Sequence, residues 1–214
     1  FEAQGEYLSA EQSYRKALLK YSGKKSTLGL FNVLNKQKKY KESQQLIEQW
    51  LSKNPKDLIA DIALTESLAN QRKLAKSLEL YQSLIIKYQR MPILLNNAAN
   101  IALRLKRMSL AADFANEAYK KVPDNANVID TLAWIKAQQN ERVQAITLFR
   151  QALVLDFDNA EIKYHLAVTL KQEQRNKEAY KLLSESVKSK QLFEKILARF
   201  ITNATPIAGG AKVR

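Results

Sequence analysis

The chain has 214 residues, 35 Lys and Arg against 21 Asp and Glu, and a formal net charge of +14. It has no cysteine and one histidine, which excludes disulfides, zinc–thiolate sites, cysteine nucleophiles and histidine-rich metal clusters. Five Gly and four Pro in a chain rich in Ala, Leu, Lys, Gln and Glu predict an all-helical protein, with no apolar run near the roughly 20 residues of a membrane-spanning helix.

In chain order, residues 1–23 read as the second helix of a helix pair. Tyr7, Ala10, Tyr14, Ala17 and Leu18 form its apolar face, Gly5 is expected in the preceding turn, and Ser22-Gly23 ends it. Its partner helix is missing, and Phe1-Glu2-Ala3-Gln4 has no signal pattern. The natural chain is therefore expected to continue N-terminally, with this sequence as a C-terminal fragment. Residues 24–57 carry Leu30, Leu34, Ser43, Ile47 and Pro55, with Phe31 and Trp50 at positions where small residues would let helices approach, so looser packing is expected there. Residues 58–91 repeat the pattern weakly with Leu64, Leu68, Ser77 and Tyr81, and place Thr65, Ser77 and Leu84 at the small positions.

Residues 92–125 keep it with Ala99, Ala111, Ala115, Ala118 and Pro123. Residues 126–159 show it most plainly. Ile129, Leu132, Ala133 and Ile135 make one apolar stripe at helical spacing; Val143, Ile146, Phe149, Ala152, Leu153 and Leu155 make a second. Residues 160–193 continue with Leu166, Ala167, Leu170, Ala179 and Leu183, and Gln191 replaces the closing proline. Phe193, Ile196, Leu197 and Phe200 then share a face, predicting a capping helix over 194–202; residues 203–214 read as a flexible tail.

The step between corresponding positions is 34 residues. With Leu132-Ala133, Ala145-x3-Phe149 and Ala152, each unit resembles a tetratricopeptide repeat (TPR), departing from it at Lys136 and Phe157. The resemblance implies an all-α, right-handed superhelix (an α-solenoid) of antiparallel helix pairs. It also implies that first helices line a concave groove through the fifth, ninth and twelfth–thirteenth places of each unit. Asn32, Asn96, Asn100, Arg104, Asp130, Trp134, Gln138 and Tyr164 are the candidate partner-binding residues on that basis. Carboxamides offer donors and acceptors to a peptide backbone, and aromatic rings offer flat anchors. Trp134 is expected to look out over the groove, with Asn100, Arg104, Asp130 and Gln138 as its polar rim; the competing reading makes it core. The cation pair of the carboxylate-clamp subgroup is absent, since Glu161 and His165 stand where it is required.

Catalysis is not expected. GxxxxGK[ST], GxSxG, GxGxxG and HExxH are absent, His165 reads as structural or surface, and Asp156 and Asp158 fall in a turn where helix caps are ordinary. No cofactor or metal is expected. The favoured function is a non-catalytic protein–protein interaction scaffold for a peptide or protein. The alternative is an accessory domain for an anionic polymer, either an acidic polysaccharide or a membrane surface. It would use a basic edge of turns carrying Lys36, Lys38, Lys39, Lys41, Arg72, Lys73, Lys106, Arg107, Arg175 and Lys177, opposite an edge carrying Asp57, Asp124, Asp156 and Asp158. Aromatics do not alternate with these cations, so nucleic acid is disfavoured.

Leu95-Asn96-Asn97-Ala98-Ala99, Asp130-Thr131-Leu132-Ala133-Trp134 and Tyr164-His165-Leu166-Ala167-Val168, followed by Phe193, resemble over residues 92–201 the C-terminal repeats of TPR lipoproteins from PEP-CTERM/exosortase gene clusters. That resemblance implies a bacterial envelope protein, periplasmic, near exopolysaccharide export and protein sorting. The residues themselves leave the cytoplasm open.

Overall fold

The computed structural model describes residues 2–21 and 23–186, so the expected capping helix and tail lie outside the described residues. Eleven helices and no strand occur among the described residues: α1 Glu2–Lys20, α2 Lys24–Lys36, α3 Tyr40–Lys53, α4 Leu58–Asn70, α5 Leu74–Lys87, α6 Pro92–Arg104, α7 Met108–Lys121, α8 Ala126–Gln138, α9 Arg142–Leu155, α10 Ala160–Gln172 and α11 Asn176–Ser186. From α2 onward, the odd- and even-numbered helices each begin at intervals of 34 residues. The all-α class read from the sequence is the one observed. Gly5, expected in a turn, instead lies inside α1.

The chain divides into two compact units, Phe1–Arg107 and Met108–Arg214. In the first, α1 packs on α2, α2 on α3, and so on to α5 on α6; in the second, α7 to α11 pack in the same sequential way. Short connections between consecutive packed helices make each pair antiparallel.

One local device makes every turn within a pair. A residue at φ between 59° and 65° follows the first helix, at Lys38, Arg72, Lys106, Asn140 and Gln174. The next residue's N–H then returns to a carbonyl of the last helical turn, from Lys39 to Leu34 at 2.8 Å, Lys73 to Leu68 at 2.9 Å, Arg107 to Ala102 at 2.9 Å, Glu141 to Lys136 at 3.0 Å and Arg175 to Leu170 at 2.9 Å. This left-handed stop satisfies carbonyls that the helix end leaves open. The turns leading into first helices use side-chain caps instead. Asp57, Asn125 and Asn159 each accept two backbone N–H bonds at the starts of α4, α8 and α10, and Pro92 opens α6. Asn159, not Asp156 or Asp158, is the cap of α10; those two carboxylates accept from the Asn159 amide and from Lys163.

Packing follows the small positions. In the second unit Ala133, Ala145, Ala152, Ala167 and Ala179 are fully buried around Ile129, Phe149 and Leu183. Val143 and Leu155, placed on the buried stripe from the sequence, are 73% and 47% exposed. A helix turns roughly 100° per residue, which puts Val143 on the far side from the line through Ala145, Phe149 and Ala152 and Leu155 nearly a quarter-turn from it. In the first unit Phe31 is buried rather than loosely held, because Ala60 and Ala63 face it. Trp50 packs at the edge of that cluster and donates its indole N–H to Asp57 at 2.9 Å. Ser43, Ser67 and Ser77 fill small buried positions, and Ser77 donates to the Thr65 carbonyl at 3.0 Å.

Two buried carboxylates brace the first unit. Asp61 accepts from Lys87 Nζ and Tyr88 Oη, each at 2.6 Å. Glu11 accepts from Arg15 Nη2, Gln37 Nε2 and Lys39 Nζ, all at 2.8 Å, which ties α1 to the α2–α3 turn. The Lys39 ammonium above all, aided by Arg15 and Gln37 against the cost of burial, lowers the Glu11 carboxyl to about 2.

Candidate functional site

In the first unit the ends of α4 and α6 and the middle of α5 enclose a recess of about 220 Å³. Glu66, Asn70, Tyr81, Asn97, Asn100 and Arg104 supply its polar wall, and Ala69 and Ile101 its apolar floor. The 34-residue register puts Glu66 and Asn100 at one place and Asn70 and Arg104 at another, so adjacent first helices present them side by side. Tyr81 is 1% exposed, and its hydroxyl lies 3.4 Å from the Asn97 amide nitrogen. Burial first, and the nearby Glu66 charge second, push its phenol up. Glu66 is an exposed residue, and the loss of water that its neighbours impose pushes its carboxyl up as well. Arg104 turns its guanidinium toward the Ala69 carbonyl, 3.5 Å away.

Of the expected partner-binding residues, the recess collects Asn100 and Arg104. Asn96 is half-buried beside it in sequence but lines no part of it, and its Oδ1 is buried without a hydrogen-bond partner. Asn32, one register step before Glu66, is exposed on α2 and outside the recess. Tyr81 and Asn97 are not among the places that the repeat pattern assigns to the groove. Tyr81 sits on a second helix, where the register assigns core, and only the neighbouring first helices reveal that its hydroxyl reaches the recess.

In the second unit, α8 and α10 bring together Asp130, Trp134, Tyr164 and His165. Asp130 is 8% exposed, and both its oxygens accept from His165 Nδ1, at 2.9 and 3.0 Å. Trp134 stacks on the imidazole with ring centroids 4.5 Å apart and planes 18° apart, while Phe149 and Tyr164 each lie 6.1 Å from it. Trp134 is thus half-buried on a histidine and packed against the core, not standing clear over the groove, and Asp130 is a buried partner of His165 rather than an open rim. Gln138 is exposed, four residues beyond Trp134. The signal for the pair was present: Asp130 and His165 are 35 residues apart, one register step plus one, the offset at which neighbouring first helices touch.

The basic turns divide by unit. In the first, Lys38, Lys39, Lys41, Arg72 and Lys73 surround a hollow with Tyr40 and Gln71. Lys39 is engaged by Glu11, and Lys73 donates to Gln71 at 2.6 Å. Lys36 closes α2 just before that turn, and Lys106 and Arg107 form the next such turn. In the second unit Arg175 is held by Glu178, which also takes Arg150 at 2.8 Å; Lys177 is exposed beside it. Among the described residues no cluster of three or more His, Cys, Asp or Glu side chains could hold a metal ion, and no helix is long and apolar enough to cross a membrane.

Helix pairs at a 34-residue pitch, small residues at their contacts and a recess between first helices define the tetratricopeptide-repeat class. Residues 62–126 match the family described as Tetratricopeptide repeat. No curated protein sequence matches the chain. Among solved structures it is similar to TTC0263, a TPR protein of Thermus thermophilus, with 20% identity and a TM-score of 0.73 over 84% of this chain and 98% of that one. It is also similar to a chain of the APC/C hetero-tetramer Cut9–Hcn1, with 14% identity and a TM-score of 0.77 over 94% of this chain and 39% of that one. A third likeness is to YrrB, a TPR protein with an unusual peptide-binding site, at 12% identity and a TM-score of 0.56 over 89% and 98%. At these identities the likeness is one of fold.

Proposed function

We propose that this chain is a non-catalytic interaction scaffold that holds an extended peptide segment of a partner against its first helices. The observation that carries this is the recess of the first unit, where Asn70, Asn97 and Asn100 set carboxamides beside Arg104 and Glu66. Such a wall presents both donors and acceptors to a peptide backbone, which needs both. The unusual peptide-binding site of YrrB is consistent with this use of the fold. The resemblance to TPR lipoproteins of PEP-CTERM/exosortase clusters adds a setting, the bacterial envelope near exopolysaccharide export and protein sorting. The test is a panel of fluorescent extended peptides titrated by anisotropy. Asn100→Ala and Arg104→Ala each weaken the tightest binder by about 1–3 kcal/mol with unchanged melting temperature; unaltered affinity in both variants removes the reading.

A second reading has its own observation, the hollow ringed by Lys38, Lys41 and Arg72. These three make no ion pair among the described residues, so they offer charge to an anionic polymer, an acidic polysaccharide or a membrane surface.

A further inference from the structure

Glu66 is an exposed residue on the wall of the recess. The buried and half-buried carboxylates of the first unit all have cationic partners: Glu11 has Lys39 and Arg15, Glu42 has Arg15, Asp57 has Lys24 at 2.7 Å, and Asp61 has Lys87. Glu66, whose carboxyl is also partly stripped of water, has neither an ion pair nor a hydrogen bond among the described residues. Arg104, the one cation of the recess wall, is directed at the Ala69 carbonyl. A carboxylate on the wall of a recess, with no counter-charge of its own, is open to a charge-assisted hydrogen bond from a cationic ligand.

The size of the space narrows the ligand. About 220 Å³ lies below the roughly 300–1,000 Å³ of drug-sized ligand sites, and it suits the end of one long side chain. Apolar Ala69 and Ile101 would lie along a methylene stem, and Asn97, whose amide nitrogen faces the Tyr81 hydroxyl, would leave its carboxamide oxygen for an N–H group of a cationic head. We infer that this recess takes a lysine or arginine side chain of the bound peptide, with Glu66 as its counter-charge. The inference rests on the peptide-scaffold reading and adds the chemistry of one position in the partner.

The carboxyl of Glu66 is raised by loss of water, so its charge is costly above its folded pKa and the cost disappears below it. Glu66→Gln removes that cost and no hydrogen bond, so the variant stays folded at neutral pH, with a melting temperature equal to or above that of the parent. The experiment follows the side-chain amide signals of Asn70, Asn97 and Asn100 by NMR during titration with N-acetyl-arginine amide, N-acetyl-lysine amide, N-acetyl-glutamine amide and N-acetyl-glutamate amide. The two cationic probes are expected to shift Asn97 and Asn100 saturably, at least tenfold tighter than the other two. Glu66→Gln abolishes that preference, as does lowering the pH through the titration of Glu66. Equal response to the glutamine probe, or a preference that survives Glu66→Gln, overturns the cation and leaves the peptide-scaffold reading standing. No saturable shift with any probe also overturns it, and the peptide panel then judges the scaffold reading separately.

Discussion

At the scale of single residues, the left-handed positions carry an unexpected burden. Lys38, Arg72 and Lys106 hold φ near 60°, where a Cβ is unfavourable and glycine is not. Arg72→Gly or Lys106→Gly is therefore expected to stabilise the fold by about 0.5–1 kcal/mol in urea denaturation. A loss of stability would show that these side chains make contacts worth more than the strain. Asn140→Gly should do less, because Asn tolerates this conformation. Glu11 gives a pH prediction. Its folded pKa of about 2 lies below the ordinary 4.5, so its contribution is fully present above the ordinary value and is lost as pH falls from there toward 2. Lys39 and Arg15 are 41% and 43% exposed, so water screens the pairs and the contribution is about 1–2 kcal/mol. Urea midpoints measured between pH 5 and pH 2 should fall steeply in the parent chain and less in Glu11→Gln; parallel curves would assign the acid sensitivity elsewhere.

At the scale of elements, periodicity made most of the fold legible. The bulky–small pair Leu132-Ala133 and the Ala145, Phe149, Ala152 series located α8 and α9 because small residues at a helix contact are a geometric requirement, not a preference. What escaped was set by side chains reaching between helices. Glu11 and Asp61 look like solvated charges in sequence and are buried because Lys39 and Lys87 come to them from other helices. The repeat pattern points Trp134 at a groove, and nothing local announces that His165, on the next first helix, lies beneath its ring. Asn100 and Arg104 were found because the register alone aligns them with Glu66 and Asn70. The packing claim has a direct test. Ala118 and Ala152 are fully buried, so Ala118→Leu or Ala152→Leu overpacks a tight contact and costs about 1–3 kcal/mol. Unchanged melting temperatures would mean that these alanines have room.

At the scale of the whole molecule, the charge of +14 means that any anionic partner of the basic turns is attracted from a distance and released by salt. Retention on immobilised polyglutamate should fall as sodium chloride rises from about 50 to about 300 mM, an interval in which the screening length shrinks from roughly 14 to 6 Å. Changing Lys38, Lys41 and Arg72 together to Gln should shorten retention far more than removing any three other exposed lysines. Equal loss in both would reduce the hollow to its share of net charge. The fold also confines damage. Helices in each unit touch mainly their sequence neighbours, so stability is close to a sum of local interfaces. Ala152→Leu should accelerate amide hydrogen exchange in α8 to α11 while leaving α2 to α5 protected; uniform acceleration would show a single cooperative block instead.

The indole of Trp134 lies flat on His165, and Trp50, the other tryptophan, is in the first unit. Tryptophan emission depends on what is stacked against the indole, so in a Trp50→Phe background this protein contains its own optical gauge. A ligand that pries the two rings apart would be read as a change in brightness from one residue, with no label attached.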